Sequence, residues 1–556
     1  MKLRKIKSLC TLAITVTICA GIFAGCGGAS EGGKDASKPL VYNVGAVIET
    51  IDPALNTAVE GSTVIGNAFE GLMRLDENDK AIPGVAESYE ISKDQKTYTF
   101  KLRKDAKWSD GKPVTAKDFQ YAWLRCLNKD TAAEYAYQMF YIDKAKEYNQ
   151  GKAKAEEVGI KVIDDNTLEV KLHSVTPYFL GLTAFASYMP LREDVVEGNN
   201  TWTEKGETYI SNGPFQLKEF KMKDSYEFVK NENYWNKDNI KISGITYKMV
   251  ADENTSYATL QNGEFDVIGN VPSEMIKSGT EEGIVQTFPN LGTYFVCLNV
   301  NNNTDKLNSE VKKALQNKDV RNALALAIDR DSIVTKVTKS GQVPSASFTP
   351  AGIQDPSGKD FKKNKFDPMD FKGNKEEAKK LLAKAGYPEG KGLPKFEVLY
   401  NSEGDGHRKV MEIIQQNWKE IGVQVELKNQ EWAVFLNTRN KGDYQIARHG
   451  WSADYVDPMT FLDMWVSGEE GNQASWGNND AHFNNKEYDE LIEKAKTEPD
   501  QNKRFEYMRK AEDILLDEMP IIPLYDYTKT YGINKNIKGI HASTLGQIYF
   551  DRVTIE

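Results

Sequence analysis

The sequence lacks the short motifs that commonly carry hydrolytic or nucleotide chemistry. It has no His-Glu-x-x-His zinc motif, no Gly-x-Ser-x-Gly nucleophile turn, no Walker loop and no Gly-x-Gly-x-x-Gly fingerprint. Histidine is scarce, and no two of the five histidines are spaced to share one helix face. His407 and His449 flank the region of most interest, but neither has a third ligand nearby in sequence, so we expect no metal site. These absences favour binding over catalysis.

Cysteine is also scarce, with five residues in 556. Cys10, Cys19 and Cys26 lie at the extreme N-terminus, which leaves Cys126 and Cys297 for the body of the protein. These two are far apart in sequence and lack metal-ligand spacing. We interpret them as buried thiols, with a disulfide between them as the alternative.

Long apolar runs are missing except at the start of the chain. Lys2, Arg4, Lys5 and Lys7 precede the uncharged apolar stretch Ser8 to Ile22, which is short for a membrane span and typical of a secretory signal. The following Phe23-Ala24-Gly25-Cys26 resembles a bacterial lipobox. It implies that residues 1–25 are a removed leader and that Cys26 is acylated, giving a palmitate-bearing lipoprotein anchored at the extracytoplasmic face of the cell membrane. The alternative is an incidental cysteine beside a leader.

The remainder of the chain has the composition of a soluble globular protein. Residues 26–38 are rich in Gly and Ser and predict a flexible tether. At 556 residues the chain exceeds the ~250 to 300 residues at which single cores stop growing, so two or three lobes are expected. The formal net charge is −10, and losing the basic leader makes the mature chain more acidic, so nucleic acid is not an expected partner.

Apolar periodicity predicts alternating strands and helices in the second half of the chain. The expected order is strand Phe396–Tyr400, helix Arg408–Ile421, strand Val423–Leu427, helix Glu431–Arg439 and strand Tyr444–His449. Such a βαβαβ order implies a mostly parallel sheet, whose ligands bind beyond the carboxyl ends of the strands. The loop Gly450–Pro458 leaves one of those ends and is the predicted site. The first half predicts strands near Val41–Val47, Tyr98–Leu102, Thr167–Leu172 and Tyr226–Val229, and a helix over Asp118–Cys126.

The segment Arg448 to Tyr455 has the residue types needed to hold both ends of an extended peptide. Asp454 suits the ammonium, Arg448 suits the carboxylate, and the main chain of Gly450 and Ser452 suits strand addition. One such ion pair at ~4 Å and an effective dielectric near 20 gives roughly 4 kcal/mol before desolvation. The alternative for Asp454 is a turn former after a strand. Aromatic residues are either part of a groove or part of the core, among them Tyr135, Tyr137, Tyr294, Trp432 and Trp451.

Several short segments in combination resemble one family over essentially the whole mature chain. They are Ile51-Asp52-Pro53, Phe69-Glu70-Gly71-Leu72, Pro83-Gly84-Val85-Ala86-Glu87-Ser88, Trp108-Ser109-Asp110-Gly111, Val114-Thr115-Ala116-Lys117-Asp118-Phe119, Asn212-Gly213-Pro214-Phe215, Asn233-Tyr234-Trp235, Val320-Arg321-Asn322-Ala323 and Ala327-Ile328-Asp329-Arg330. The family is the family 5 solute-binding proteins of ABC importers, and within it the oligopeptide-binding Opp group.

The resemblance implies an α/β, three-lobed periplasmic-binding-protein fold of type II, cluster C, with two discontinuous lobes that close over a ligand cleft. Lobe I is expected over 39–69, 201–292 and 521–556, lobe II over 70–200, and lobe III over 293–520. The crossings between lobes I and III are expected to act as a hinge. The resemblance implies a monomer without a cofactor.

The resemblance also implies roles for individual residues. Asp454 matches the carboxylate that receives the peptide ammonium, while Arg448 and His407 match positive groups that meet the peptide carboxylate. Trp451 and the backbone of Gly450 and Ser452 match the strand that lines the peptide. Further contacts are expected at Val59, with its neighbours Thr57 and Ala58, and at Tyr135 or Tyr137.

The chain departs from the family pattern in two places. Ser452 replaces a cysteine whose disulfide partner aligns with Gly292, so that bridge is expected to be absent. Cys297 replaces an acidic residue, which leaves open how the nearby end of the ligand is held.

These expectations together describe a lipoprotein that captures short peptides and delivers them to the permease and ATPase subunits of an ABC importer, and that is not an enzyme. Two alternatives remain at this point. One is a family relative that binds another solute, such as a nickel chelate or an oligosaccharide. The other is a lipoprotein that senses peptide pheromones.

Overall fold

The computed structural model describes residues 38–301, 307–402, 405–469 and 476–556. The predicted leader, the acylation site Cys26 and nearly all of the predicted tether lie outside these residues. No helix in the described ranges combines the length and the apolar character that a bilayer crossing requires.

Strands and helices alternate along much of the described chain. The strands are β1 Leu40–Asn43, β2 Met73–Leu75, β3 Ala81–Pro83, β4 Ala86–Ile91, β5 Thr97–Leu102, β6 Ile160–Asp164, β7 Thr167–Lys171, β8 Phe215–Lys221, β9 Ser225–Lys230, β10 Gly244–Lys248, β11 Val267–Ile268, β12 Val285–Leu298, β13 Val343–Pro344, β14 Phe396–Asn401, β15 Val425–Gln430, β16 Ile446–Ser452, β17 Ile521–Ile533, β18 Ile537–Lys538, β19 His541–Ala542, β20 Ile548–Tyr549 and β21 Thr554–Ile555. The helices are α1 Val59–Ala68, α2 Ala116–Leu127, α3 Ala145–Asn149, α4 Phe179–Leu182, α5 Glu193–Val196, α6 Glu253–Gln261, α7 Ile276–Glu282, α8 Ser309–Gln316, α9 Lys318–Leu326, α10 Arg330–Ser332, α11 Lys375–Lys384, α12 Asp405–Glu420, α13 Trp432–Asn440, α14 Met459–Leu462, α15 Lys486–Thr497 and α16 Gln501–Glu518.

Two long antiparallel strands, β12 and β17, lie at the centre of the largest sheet in the described residues. On one side of this pair the order continues through β16, β14 and β15, and on the other through β11, β1, β10, β9 and β8. The register between β12 and β17 shifts between Pro289 and Thr293. This irregularity falls where the sequence predicts that the chain passes from lobe I to lobe III, although the lobe boundaries themselves stay a prediction.

The predicted βαβαβ unit is confirmed as β14, α12, β15, α13 and β16, with β14 pairing in parallel with both β15 and β16. The expectation of a mostly parallel sheet is wrong for the sheet as a whole, because β16 pairs antiparallel with β12, and β12 with β17, although β1 pairs in parallel with β10 and β11. The last strand is also longer than expected. It continues to Ser452 because Gly450–Ser452 pair with Gly292–Tyr294 of β12.

A separate antiparallel sheet forms in the first half, in the order β4, β5, β7, β6. The helix α2 begins with a capping box between Thr115 and Asp118, and its buried face includes Phe119, Ala122 and Trp123, as the periodicity predicts. The first strand is shorter than predicted. It ends at Asn43, whose side chain donates to the carbonyl of Val250, and Gly45 turns the chain with a φ of 82°.

Cys126 and Cys297 are both buried and unbonded, which confirms that they are thiols. Burial raises the pKa of both to about 12, so neither is a reactive thiolate at neutral pH. The sulfur of Cys297 lies 3.2 Å from the Tyr444 hydroxyl oxygen.

Candidate functional site

The carboxyl half of β16 has one open backbone edge. Next to the β12–β16 ladder, Asn299 N–H donates to the Gln445 carbonyl at 3.0 Å and Ala453 N–H donates to the Leu291 carbonyl at 2.7 Å. Because hydrogen-bonded pairs alternate in an antiparallel ladder, the backbone groups of Gly450 and Ser452 point away from β12.

The neighbour on that other side is β14, and its pairing with β16 ends at Ala447. Within the described ranges, no strand therefore covers the edge at Gly450 and Ser452. The Gly450 N–H donates to the imidazole Nδ1 of His449 at 2.7 Å, a local hydrogen bond within the strand. The edge is suited to hydrogen bonding with an added extended chain.

Asp454 lies just beyond the end of β16. Its backbone N–H donates to the Thr460 hydroxyl at 3.1 Å, and the Tyr137 hydroxyl approaches its carboxylate at 3.4 Å. No Lys, Arg or His of the described chain comes within 4 Å of this carboxylate. Burial, reinforced by the nearby carboxylate of Asp463, raises the pKa of Asp454 to about 7.

A cavity of about 270 Å³ opens beside Asp454. Its walls combine aromatic rings, amides, hydroxyls and two carboxylates. The lining residues are Tyr137, Gln138, Tyr141, Trp451, Asp454, Tyr455, Thr460, Asp463, Met464, Val466, Ser467, Trp476, Gly477 and Asn478. Asp454, Trp451 and Tyr137 of this set are predicted from the sequence, whereas Gln138 and Asp463 are not.

Trp451 and Ser452 differ in how far they are exposed to solvent. Trp451 is partly buried, and its indole N–H donates to the Thr460 carbonyl at 2.8 Å, which holds the ring as a wall of the cavity. Ser452 is exposed and stands directly opposite Gly292 in β12. The register thus confirms that these positions are cross-strand partners, and neither holds the cysteine that a bridge would need.

Position 450 has room only for glycine, because Tyr527 lies against it, and the sequence alone does not predict this contact. A Cβ added at Gly450 would overlap the Tyr527 hydroxyl, and one added at Gly292 would overlap the Tyr527 ring. Tyr527, in β17, therefore lies across two glycines of adjacent strands. No local pattern signals this contact, because it depends on the pairing of strands more than 75 residues apart.

Arg448 lies within β16, six residues before Asp454, and is almost completely buried, at 8% exposed. Its guanidinium donates to the Asn401 side-chain oxygen at 2.6 Å and to His407 Nε2 at 3.0 Å. Three aromatic rings face it at 5.4 to 5.7 Å: Tyr294, Trp432 and Phe435. No carboxylate of the described residues lies within 4 Å of it.

His407 contributes to this group as a neutral side chain. Because the guanidinium only donates, His407 Nε2 accepts from it, and His407 Nδ1 faces the Tyr294 hydroxyl at 3.1 Å as the donor. In this arrangement His407 is an acceptor for Arg448, and a contact from His407 to the peptide carboxylate stays a prediction.

The remaining predicted residues are not at the cavity. Val59 is exposed at the first turn of α1, and Tyr135 stacks between Tyr137 and Phe185 at 5.6 and 5.4 Å. Farther along α1, Ser62 and Gly66 do reach Asp454, since the three line a second, smaller cavity. A contact from Val59 or Tyr135 to a ligand stays a prediction.

The opposite face of β16 belongs to the core. His449 stacks on Phe295 at 4.5 Å with Nε2 3.2 Å from the Asp480 carboxylate, and burial lowers its pKa to about 4. Cys297 is fully buried, with its sulfur against the Tyr444 hydroxyl. In the parts of the chain that are described, no three His, Cys, Asp or Glu side chains form a group able to hold a metal ion.

The mixed α/β fold with a charged cleft at a strand end defines an extracytoplasmic solute-binding protein, the class predicted from the sequence. Residues 80–473 match the profile of bacterial extracellular solute-binding proteins, family 5. The chain therefore belongs to this family, has the type II periplasmic-binding-protein fold and is not an enzyme.

Several of the similar proteins are peptide-binding proteins by name. The chain is 38% identical to the oligopeptide-binding protein OppA of Bacillus subtilis, covering 97% of each chain, and 35% identical to the dipeptide-binding protein DppE of the same organism, covering 98% of each. Among solved structures, Listeria monocytogenes OppA bound to peptide is similar with a TM-score of 0.76 and 31% identity, over 94% of this chain and 99% of that one.

Proposed function

We propose that this protein captures oligopeptides in extended conformation outside the cell and delivers them to an ABC importer. One observation carries the proposal. An open strand edge at Gly450–Ser452 lies between a carboxylate and a guanidinium, Asp454 and Arg448, and neither has a counter-ion in the described residues. A peptide has the complementary charges at its two ends and hydrogen-bonding groups between them.

The spacing along β16 favours short peptides. At about 3.3 Å per residue, the distance from Arg448 to Ser452 is roughly 13 Å, and Asp454 lies about two residues farther on. An extended peptide of about four to six residues spans this distance. Because binding through the backbone and the termini does not read side chains, we expect tolerance of many sequences, with water in unfilled pockets.

The charged ends distinguish this proposal from the oligosaccharide alternative. A sugar site would favour an exposed Asp454 with stacked aromatic rings lining the cleft, whereas Asp454 is partly buried and contacts the Tyr137 hydroxyl. Similarity to the pheromone receptor PrgZ, with a TM-score of 0.76 and 28% identity, keeps peptide sensing as a second candidate. Sensing requires the same peptide site, and what differs is whether the peptide is then imported.

The proposal also includes the predicted lobes and the predicted lipid anchor. The three lobes have the boundaries predicted above, and closure of lobes I and III over the peptide prepares it for the permease. Acylation of Cys26 holds the monomeric protein at the extracytoplasmic face of the membrane. Replacing Cys26 by Ala is expected to release the protein into the medium, measured by fractionation of cells.

The test of the peptide site uses Asp454→Ala with tetra-alanine and its N-acetylated form. We expect calorimetry to show that the variant loses about 100-fold in affinity for the free peptide, because the ammonium loses its partner, while the weakly bound acetylated peptide changes little. The control is Asp165→Ala, an exposed aspartate paired only with Lys117, which is expected to bind like the wild type. Equal losses for the free and acetylated peptides would remove the role of Asp454.

A further inference from the structure

The cavity beside Asp454 has a second carboxylate without a partner. Asp463 follows the short helix α14, Met459–Leu462, and its side chain lines the cavity. Within the described chain its carboxylate has no hydrogen bond or ion pair, and it is only partly exposed. The proposed ammonium clamp at Asp454 leaves this second carboxylate unexplained.

The cations near Asp463 are engaged with other groups. Lys496 on α15 lowers the pKa of Asp463 from a distance, but its ion pair within 4 Å is with Glu493, at 3.4 Å. Arg504 on α16 donates to both carboxylate oxygens of Asp457, at 2.6 and 2.8 Å. Of the three neighbouring aspartates, Asp457 is therefore neutralised within the protein, while Asp454 and Asp463 are not.

Charge balance favours a ligand with two positive charges at this end. A peptide with an uncharged first and second side chain brings one ammonium into a cavity that holds two carboxylates. Closing the cleft over it would bury the second carboxylate without compensation, and a buried, uncompensated charge is costly unless it takes up a proton. A second cation on the ligand removes that cost.

The walls of the cavity suit a long basic side chain. Tyr141, Trp451 and Trp476 supply aromatic surface, along which an aliphatic stem packs, and Gln138 and Asn478 supply amide oxygens. On the scale on which the cavity volume is measured, one water molecule needs about 10 to 15 Å³. A cavity of about 270 Å³ therefore has room for a lysine or arginine side chain together with some water.

We propose that Asp463 is a specificity-determining residue that pairs with the side-chain cation of a Lys or Arg at the first or second position of the bound peptide. The inference rests on the proposed peptide-binding function and narrows it to a ligand class. The protein binds many peptides through their termini but prefers those with a basic residue next to the ammonium.

The test compares tetrapeptides that differ only in charge. Lys-Ala-Ala-Ala and Ala-Lys-Ala-Ala are titrated by calorimetry at pH 7.5 against the same peptides with norleucine in place of lysine. At one of the two positions we expect the lysine peptide to bind about tenfold more tightly. In Asp463→Asn we expect that preference to vanish, because the lysine peptide loses its partner and the norleucine peptide no longer buries an uncompensated carboxylate. Binding of the norleucine peptide at least as tight as in the wild type also shows that the variant folds.

The control separates a local pairing from the general attraction of an acidic protein for cations. Asp165→Asn removes the same charge from a remote exposed position and is expected to retain the preference. A preference that persists in Asp463→Asn, or equal binding of lysine and norleucine peptides by the wild type at both positions, overturns the role of Asp463 and leaves the proposed function standing. Failure of the wild type to bind any of the four peptides overturns both.

A second comparison needs no variant. The wild type is titrated with peptides that have arginine or the neutral isostere citrulline at the preferred position. We expect arginine to bind about tenfold more tightly, and equal affinities contradict the pairing.

Discussion

The two ends of the proposed peptide site differ in how a buried charge is maintained. At one end Arg448 is enclosed by three aromatic rings and donates to the neutral acceptors Asn401 and His407. At the other end, Asp454 receives two neutral donors, the Tyr137 hydroxyl at 3.4 Å and the Gln138 side chain, and lies near the carboxylate of Asp463.

The chemistry of the two charged groups explains the difference. A guanidinium does not deprotonate in proteins, so Arg448 stays charged and must be solvated by π faces and acceptors. A carboxylate can take up a proton, so Asp454 responds to burial with a pKa of about 7. One end is therefore permanently charged, and the charge of the other depends on pH and on the ligand.

After the loss expected for Asp454→Ala, the next largest effect is expected at the permanently charged end. Arg448→Met removes the guanidinium and retains an apolar side chain among the rings. We expect about 30-fold weaker binding of tetra-alanine, or ~2 kcal/mol, because the peptide carboxylate loses its partner. The same peptide with a C-terminal amide is expected to bind both proteins equally in calorimetry.

The matched control is Arg408→Met on α12. Arg408 is exposed and paired with Asp405 and Glu412, so its loss is expected to leave affinity unchanged. Equal weakening by the two substitutions would indicate that overall charge, and not a local pair, governs binding.

The second effect is a pH dependence that we expect at the Asp454 end of the site and not at the Arg448 end. Without ligand its pKa is about 7, and an ammonium partner stabilises the carboxylate and lowers that pKa, so binding releases a proton. Affinity for tetra-alanine is therefore expected to fall by up to about tenfold per pH unit below pH 7. Above pH 8 it falls again, because the peptide amine loses its proton.

Dissociation constants measured between pH 5.5 and pH 9 test whether affinity falls on both sides of neutral pH in this way. In Arg448→Met the acid limb is expected to keep its slope, since the guanidinium does not titrate. In Asp454→Asn we expect the acid limb to disappear, and its persistence would assign the titration to another group.

The smallest effect concerns stability without ligand. The pKa of Asp454 is higher in the folded protein than its ordinary value of 3.8, so the folded state binds more protons and its stability falls as pH rises from 4 towards 7. Asp454→Asn removes this cost. Allowing for partial exposure, we expect a gain of about 1 kcal/mol at pH 8 that vanishes near pH 4, measured from urea unfolding midpoints.

Asp457→Asn provides the contrasting variant three residues away. It leaves the buried Arg504 guanidinium without its bidentate partner, so it is expected to destabilise the protein at pH 8. Stabilisation by both substitutions would show that the unpaired state of Asp454 is not the cause.

Local patterns in the sequence predicted the elements around the site well. The βαβαβ unit, the buried face of α2 and the two buried thiols follow from periodicity and composition within single segments. The resemblance correctly placed Ser452 opposite Gly292, because aligned positions preserve strand register. The contacts that shape the site could not be predicted from local sequence patterns. Tyr527 overlies Gly450, and Asn401 accepts from Arg448, only because distant strands pair.

The sequence by itself determined the class of protein and the residue types that carry charge along Arg448 to Tyr455, since both depend on motifs and neighbours in the chain. Only the tertiary structure decided which of those charges are neutralised. Asp457 meets Arg504, His449 turns into the core beside Asp480, and Asp454 and Asp463 remain unpaired at a cavity. The physical reason is that the free energy of a charge depends on the partners and solvent that folding places around it, and those partners come from distant parts of the chain.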